Sequence, residues 1–423
     1  MNHRSPRADA AGPAWPRGLP WLLAGLAMFG PFTIDTIFPA FVQMGQDLRA
    51  DKLGMQQTIS VYLFAYAVMS VFHGPLSDAI GRRRVILCGL VVFTLASVGC
   101  AMATDMGTLL VFRAVQGLSA GVGVVVGRAV IRDLFDGPNA QRLLSQVSMI
   151  FGIAPAIAPI IGGWILGWAR WPAIFWFLVL FSLVLLVATW RWLPETLPPP
   201  ARRSLAPRSL LRDYATIFLN GRFQRLAAAS AFNFSALFLF IASAPAFVMD
   251  ILDLDESQFG WFFVPMISGM MAGAWLSGRT AGRVKGLTLA NAGFACSAVA
   301  IAANMLYYLL VDDPTVPWAV LPLVLNAFGI ALVFPIVTLA ILDLFPAQRG
   351  AAASLQAFTG LLLNAIIAGL LSPMVSATGL GLASLAASFL AIGWIFWWVE
   401  TRQGRIRPKV PAEPAAYEPT DHL

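Results

Sequence analysis

Two ionisable residues lie inside long apolar stretches of this chain. Asp35 is near the middle of the apolar run from Pro20 to Val42, and Arg113 lies in a second run at 107–131. A charge at bilayer depth costs at least about 2.5 kcal/mol, so such residues usually line a substrate or proton path. Asp35 and Arg113 are therefore the first candidates for chemistry. The alternative is a fixed ion pair that ties two helices together.

The predicted depths of these two residues permit contact. If the first helix runs outward and the fourth inward, Asp35 lies about 12 Å and Arg113 about 9 Å below the same surface. Removal from water favours the neutral form of a carboxyl group, whereas a neighbouring cation favours the charged form. A change in their separation would then change how tightly the acid holds a proton. We expect Asp35 to exchange protons and compete with substrate, with Arg113 tuning it.

The elements that position these residues must be membrane helices. Hydrophobic residues make up 58% of the chain, charged residues 12%, and the mean hydropathy is +0.75. Soluble domains contain about 25% charged residues, so the sequence indicates an integral membrane protein. The cysteines, Cys88, Cys100 and Cys296, all lie in apolar runs. We interpret them as small packing residues.

Twelve apolar runs are long enough to span a bilayer, which needs about 20 residues. They lie at 20–43, 57–77, 84–103, 107–131, 143–168, 172–192, 223–248, 258–278, 286–310, 316–342, 350–376 and 379–399. A segment rich in proline and arginine divides them six and six. The predicted organisation is an N-tail (1–19), a six-helix bundle (20–192), a linker (193–221), a second six-helix bundle (222–399) and a C-tail (400–423).

Loop charges predict the orientation. Arginine and lysine dominate both tails, the linker and alternate loops, whereas the opposite loops carry mostly acids, including those at 253–256. Basic residues are retained on the cytoplasmic side, so both termini are expected there. The net charge of +7 then reflects topology and gives no support to nucleic-acid binding.

The two halves resemble each other in sequence. Three pairs of segments recur at nearly one offset: 39–42 with 245–248, 131–135 with 341–345, and 81–82 with 282–283. Such repeats build alternating-access transporters, whose site lies between the halves. In this register Asp35 corresponds to Ile241, and Arg113 to the neighbourhood of Leu325 and Asn326. The intramembrane charge belongs to the first half alone.

The loop between the second and third helices carries a further candidate group. It reads Gly74-Pro-Leu-Ser-Asp78-Ala-Ile-Gly81-Arg82-Arg83-Arg84. Glycine permits a tight turn and the arginines can meet lipid headgroups. Topology and turn chemistry explain the arginines but not Asp78, which can accept hydrogen bonds from a helix N-terminus or from arginine.

Several motifs, in order, resemble the major facilitator superfamily. The loop matches G-x-L-(A/S)-D-x-x-G-R-(R/K), and Leu109, Arg113, Gln116 and Gly117 match the fourth-helix signature L-x-x-x-R-x-x-Q-G. Asp35 followed by Pro39 and Ala40 is similar to the first-helix pattern of the bicyclomycin and chloramphenicol resistance branch, within the twelve-helix drug:proton antiporters. The segments 194–198 and 342–346 are also similar to that branch. The fifth-helix residues that resemble the antiporter signature G-P-x-x-G-G are Pro155, Pro159, Gly162 and Gly163, with Ala158 in place of the first glycine.

This resemblance implies a major facilitator fold and proton-driven drug export across a bacterial inner membrane. It places Asp35 and Arg113 in the transport cavity. It implies a cytoplasmic gate formed by Asp78, Gly81, Arg82, Arg128 and Asp133. No cofactor or metal is expected, because the proton gradient drives the process. The expected partners are small hydrophobic substrates, H+ and membrane lipid, with the protein acting as a monomer.

Aromatic and amide residues at helical spacing suggest a cavity wall. The candidates, with Asp35 and Arg113, are Tyr62, Tyr66, Phe232, Asn233, Phe234, Phe238 and Asn326. A large apolar pocket with few polar groups suits varied lipophilic substrates. Ordinary helix packing or lipid contact is the alternative for each. His73 is interpreted as a packing residue at the cytoplasmic end of the second helix, and the acids at 253–256 as a solvated loop.

Other functions remain to be distinguished. A dedicated exporter of one endogenous metabolite, such as a sugar or nucleoside, is the second transport hypothesis. A membrane-embedded enzyme would need polar catalytic clusters, but the three histidines are scattered at positions 3, 73 and 422. A channel would need rings of charge or filter-like loops, which are not evident.

Overall fold

The computed structural model describes residues 18–134, 137–202, 207–280, 283–346 and 348–402. Their helices are α1 (Leu19–Asp35), α2 (Phe41–Asp47), α3 (Lys52–Ile80), α4 (Arg82–Ala101), α5 (Met106–Leu134), α6 (Gly137–Leu166), α7 (Pro172–Trp192), α8 (Pro207–Phe218), α9 (Gly221–Ala242), α10 (Gly260–Thr280), α11 (Gly286–Leu310), α12 (Leu321–Leu344), α13 (Arg349–Ile366), α14 (Ser372–Val375) and α15 (Gly379–Arg402). Short 3-10 turns occur at Phe38–Ala40 and Pro199–Ala201. π-helical segments follow α9 at Ala246–Ile251 and α13 at Ile367–Leu371.

The described helices lie where the twelve spans are predicted. Among the described residues, nine helical stretches are long and apolar enough to cross a membrane, and the bent α1–α2 pair makes a tenth. The 30-residue α6 and the 21-residue α10 lie where the other two spans are predicted. Six spans precede the linker helix α8 and six follow it. The fold is all-α, with two six-helix bundles.

The first span is not one straight helix. Its two parts, Leu19–Gly30 and Phe32–Asp47, meet at an angle of 43°. The bend falls at Pro31, which has no N–H to donate to the helical hydrogen bonds. Regular α-helix then stops at Asp35, and a 3-10 turn leads into α2. The candidate acid therefore sits at a break in its span.

The bundle has two ends, named here for their position. The linker end carries α8 and the two ends of the described chain, and the far end is opposite. At the far end Asp105 accepts hydrogen bonds from the N–H and hydroxyl of Thr108 at the start of α5. These bonds lower the pKa of Asp105. Asp255 caps a turn of the outer acidic loop by accepting from Ser257 in the same way.

The linker helix contacts both halves. The hydroxyl of Tyr214 donates to the carbonyl of Val71 on α3, and Gln348 before α13 donates to Asp213. Burial is the main cause that raises the pKa of Tyr214 to about 12. The chain segment that joins the two bundles is thus fixed against each of them.

A cluster of charged side chains holds α15 against α9 at the linker end. The carboxylate of Glu400 is fully buried and accepts from the guanidinium groups of Arg222 and Arg225, each at 2.7 Å. A buried carboxylate needs such partners, because taking an unpaired charge out of water costs roughly several kcal/mol of free energy. The cluster therefore stabilises packing within the second bundle.

Candidate functional site

Arg113 is fully buried and joins three helices of the first bundle. Its Nε donates to the carbonyl of Thr58 on α3 at 3.1 Å, and its Nη1 donates to the carbonyl of Thr33 on α1 at 3.1 Å. Nη1 also donates to Oε1 of Gln116, one turn along α5, at 2.9 Å. The guanidinium lies over the ring of Tyr62, 4.5 Å from its centre. Main-chain carbonyls and a ring face thus hold this cation.

A series of hydrogen bonds from α4 fixes Gln116, the side-chain partner of Arg113. The Nε2 of Gln116 donates to the hydroxyl of Ser97 at 2.8 Å, and that hydroxyl donates to the carbonyl of Phe93. Because the amide nitrogen of Gln116 is used by Ser97, its oxygen faces Arg113 as an acceptor. Ser97 and Gln116 therefore position the guanidinium.

Asp35 is buried, with 4% of its surface exposed, and forms no ion pair with Arg113 within the described chain. The expected direct contact is therefore absent in this conformation. The physical reason is that Nε and Nη1 of Arg113 are bonded to two carbonyls and an amide. Its Nη2 has no acceptor among the described residues. Asp35 and Arg113 share one neighbourhood, because Thr33 is two residues from Asp35.

Two tyrosines of α3 line this neighbourhood. Tyr62 is fully buried and lies within electrostatic range of both Asp35 and Arg113. Its ring meets that of Tyr66 edge to face, with 6.3 Å between centres. His73, two turns further along α3, is buried against Gly121 of α5. The structure therefore brings Tyr62 and Tyr66 to the candidate acid and cation.

The candidates in the second bundle have varied surroundings. Phe232 packs against α15, with ring centres 6.0 Å from Phe389 and 6.5 Å from Phe396. Phe234 and Phe238 stack on each other at 6.1 Å. The packing alternative is thus the simpler interpretation of Phe232.

Two amides of the second bundle are buried without full hydrogen bonding. Asn233 and Asn326 are each 1% exposed. Neither amide atom of Asn326 has a hydrogen-bond partner among the described residues, and the Oδ1 of Asn233 has none either. Buried amide atoms are normally hydrogen-bonded, so both positions are polar sites in an apolar bundle.

The residues of the predicted gate are gathered around Arg82 at the linker end. Arg82 forms an ion pair with Asp78, and its Nε donates to Asp133 of α5 at 3.1 Å. Gly81 has φ 107°, a conformation that favours glycine at the turn between α3 and α4. Arg128 is exposed on α5. The structure thus brings Asp78, Gly81, Arg82 and Asp133 together.

Two residues after α7 complete this cluster, and sequence reasoning gave them no role. Glu195 accepts at 2.9 Å from the backbone N–H of Arg82, the first residue of α4. Thr196 donates to the carboxylate of Asp133 at 2.8 Å. The signal available in the sequence is the Pro-Glu-Thr segment at 194–196, which is similar to the drug:proton antiporters.

The fifth-helix motif permits two close approaches. Pro155 and Pro159 lie inside α6. A Cβ on Gly162 would lie 3.0 Å from the carbonyl carbon of Thr36, and one on Gly163 would lie 2.5 Å from the carbonyl oxygen of Glu256. Gly162 therefore lets α6 contact the chain directly after Asp35, and Gly163 lets α6 contact the second bundle.

A set of α3 side chains joins the two bundles at the far end. We call Lys52, Gln56, Gln57 and Ser60 the α3 latch. Lys52 pairs with Asp250 at 2.5 Å. The three others donate to main-chain carbonyls: Gln56 to Ala242 at 3.0 Å, Gln57 to Gly369 at 2.7 Å and Ser60 to Ala365 at 2.8 Å.

The two ends of the bundle differ in packing. A Cβ on Gly369 would lie 2.6 Å from Cβ of Ser60, whereas one on Gly74 or Gly360 would meet no described atom within 4 Å. Phe38 also stacks on Phe263 across the bundles. The structure is therefore closed at the far end. Sequence reasoning missed this latch.

The comparisons with known proteins agree with this architecture. A sequence profile of the Major Facilitator Superfamily matches residues 21–368. The chain belongs to this superfamily. Its members are transporters. The described residues contain no group of three His, Cys, Asp or Glu side chains able to hold a metal ion.

Curated relatives carry names that refer to drug resistance. The chain is 28% identical over 380 residues to "Multidrug resistance protein D" of Escherichia coli K12, covering 89% of this chain and 94% of the relative. It is 30% identical over 310 residues to "Multidrug resistance protein MdtM" of Salmonella typhimurium, covering 72% and 73%. It is 29% identical over 264 residues to "Bicyclomycin resistance protein homolog" of Haemophilus influenzae, covering 62% and 66%.

Solved structures share the fold. The structure of a D-xylose-proton symporter aligns with a TM-score of 0.71 at 14% identity, covering 89% of this chain and 96% of that one. The human organic anion transporter MFSD10 aligns with a TM-score of 0.65 at 17% identity, covering 90% and 98%. At these identities the likeness establishes the fold alone.

Proposed function

We propose that this protein is a proton-coupled exporter of small hydrophobic drugs or toxic compounds. The observation that carries the proposal is a buried acid, Asp35, at a break in its span and beside a buried cation that it does not pair with. The drug-resistance names of the relatives support the substrate class. The expected partners are the substrate, H+ and lipid, and the protein is proposed to work as a monomer without a cofactor.

The geometry supports a coupling mechanism in three steps. In this far-end-closed conformation Asp35 has left water and has no cation partner among the described residues, so we propose that it carries a proton. Substrate entering beside Tyr62 and Arg113 would add its own interactions and favour release of that proton. The break after Asp35 and its contact with Gly162 allow the acid to move relative to the guanidinium when the bundles tilt.

The proposed orientation follows from the loop charges. The linker end is rich in arginine, so we place it and both termini in the cytoplasm of a bacterial cell, with the protein in the inner membrane. The far end then faces outward, and the structure is closed to the outside. The two bundles, 20–192 and 222–399, would tilt about the cavity, with the cluster around Arg82 as the cytoplasmic gate and the α3 latch as the outer gate.

Asp35→Asn tests the coupling directly. The variant keeps the size of the side chain and cannot exchange a proton. It should fold and bind substrate but lose uphill export driven by a pH gradient in membrane vesicles. Asp313→Asn, in an exposed loop of the far end, is the matched control and should export normally. Export by Asp35→Asn at the control rate would remove Asp35 from proton coupling.

A resistance profile separates the two transport hypotheses. An expression host should survive several chemically unrelated lipophilic drugs if the protein is a multidrug exporter. Protection against a single compound would favour the dedicated exporter of one metabolite.

A further inference from the structure

A cavity of about 780 Å³ lies between the two bundles at the far end. Its walls come from α2, the start of α3, the π segment after α9, and α14. The apolar part includes Phe41, Val42, Met55, Ala246 and Met249. Cavities that bind drug-sized molecules enclose about 300–1,000 Å³ and are mostly apolar. The cavity therefore has the size and lining of a small-molecule site, and Asp35 is not among its lining residues.

The charged side chains that line this cavity differ in whether they have a partner. Lys52 is paired with Asp250, and Asp51 accepts from the backbone N–H of Gly54 at the start of α3. Lys52 and Asp250 offset each other, and the carboxylate of Asp51 is stabilised at the N-terminus of α3 by the Gly54 N–H and the helix dipole. Arg49 also lines the cavity; its backbone N–H donates to the carbonyl of Gln46, but its guanidinium forms no hydrogen bond or ion pair within the described chain. The Arg49 guanidinium is the lining cation without a side-chain partner in the described chain, so an apolar molecule with one acidic group can pair with it.

The cavity also shares residues with the α3 latch. Lys52 and Gln56 line it from the first bundle, and Asp250 lines it from the second. Opening of the far end must separate these walls. A ligand that contacts both walls therefore binds the closed far end better than the open one, and such a preference shifts the population toward the closed state.

We propose that this cavity is a binding site for drug-sized amphipathic anions that arrive from the far end, and that its occupation holds the far end closed. If the protein exports compounds in the proposed direction, such a ligand is an inhibitor acting from outside. The inference rests on the proposed function only for the alternation between closed and open far ends. It does not need Asp35 to be the coupling acid.

The expected effect follows from linkage. A ligand that binds only the closed state, at ten times its Kd, raises the ratio of closed to open far ends about 11-fold. The measurement uses spin labels at positions 104 and 312, which are exposed far-end loop residues of the two bundles. Cys88, Cys100 and Cys296 are replaced by alanine so that only the introduced cysteines are labelled.

Indomethacin, a hydrophobic carboxylic acid, is the probe, and its neutral methyl ester is the matched control. Indomethacin should increase the short-distance population between the labels, and the ester should do so at least tenfold less. Arg49→Gln should abolish the difference between acid and ester, and Arg49→Glu should make the acid the weaker of the two. Arg283→Gln, exposed at the linker end, should leave the response unchanged.

Asp35→Asn separates this site from the proposed transport site. The response to indomethacin should persist in Asp35→Asn, even though that variant is expected to lose export. A response that disappears in Asp35→Asn but survives in Arg49→Gln would place the probe in the central site and overturn the inference. Equal responses to acid and ester in the unmodified protein would also overturn it.

Discussion

Replacing Gly369 with alanine should open the far end. Gly369 lies in the π segment after α13, and its carbonyl accepts from Gln57 of the α3 latch. A Cβ at this position would lie 2.6 Å from Cβ of Ser60, whereas ordinary contacts are 3.4 Å or more. The serine Cβ cannot move away without its backbone. The strain is therefore confined to the state in which α3 and α13 are in contact.

The size of the effect can be worked from this overlap. Overpacking by one methyl group typically costs about 1–3 kcal/mol. A cost that acts only on the closed far end changes the ratio of closed to open states by about 5- to 150-fold. Alanine is also a better helix former than glycine, but this gain applies to both states and cancels in their ratio.

Gly360→Ala is the matched control, because Gly360 is on the same span and its added Cβ would meet no described atom within 4 Å. Distances between spin labels at positions 104 and 312 report the closed and open far ends. Gly369→Ala should shift most of the population to the longer distance, and Gly360→Ala should not. Equal distributions in the two variants would refute the assignment of this contact to the outer gate.

Three further substitutions test separate parts of the structure. Gln57→Glu removes a hydrogen-bond donor and places a charge against a carbonyl, so it should populate the open far end at least about fivefold more. The control Gln46→Glu, exposed on α2, should leave the population unchanged. Equal label distances in the two variants would contradict the latch. Arg113→Lys keeps the charge but cannot reach three acceptors in different directions, and should lower the free energy of unfolding by about 2 kcal/mol; an unchanged melting temperature in detergent would contradict this role. Glu400→Gln leaves its two arginine partners on α9 without a buried acid and should cost about 2 kcal/mol, seen as a lower melting temperature with the label distances unchanged.

The helical spans could be predicted because a bilayer imposes a length on apolar runs. Their interruptions could not. The apolar run predicts a first span over 20–43, but regular helix stops at Asp35 and continues after a 3-10 turn to Asp47. The repeated Pro-Ala-Phe-Val segments also differ: the first lies in the 3-10 turn and α2, and the second begins at Pro245 and continues within the π segment. Identical residues therefore adopt different backbone conformations in the two halves.

The candidate site was predictable only in part for a related reason. Asp35 and Arg113 are visible in the sequence, because a charge within an apolar run needs an explanation. The partners of Arg113 were not predictable, because they include the main-chain carbonyls of Thr33 and Thr58. Every residue carries a carbonyl, so no residue type signals that use. An ion pair with Asp35 is the simplest contact that another side chain could give Arg113. In the structure, backbone carbonyls accept from Arg113 instead.

The α3 latch also uses main-chain carbonyls as acceptors. Its hydrogen bonds are weak enough for a gate that must open. Gln57 and Ser60 donate to carbonyls at or next to a π segment, and Gln56 donates to the carbonyl of Ala242 at the end of α9. Irregular helix leaves carbonyls without their usual helical partners. Hydrogen bonds between membrane helices average about 0.6 kcal/mol, and an exposed ion pair such as Lys52–Asp250 contributes about 0–1 kcal/mol. The latch is therefore worth about 2–3 kcal/mol in total. A difference of two pKa units between the closed and open states at one coupled acid would supply about 2.7 kcal/mol, which is the free energy needed to open or close such a gate.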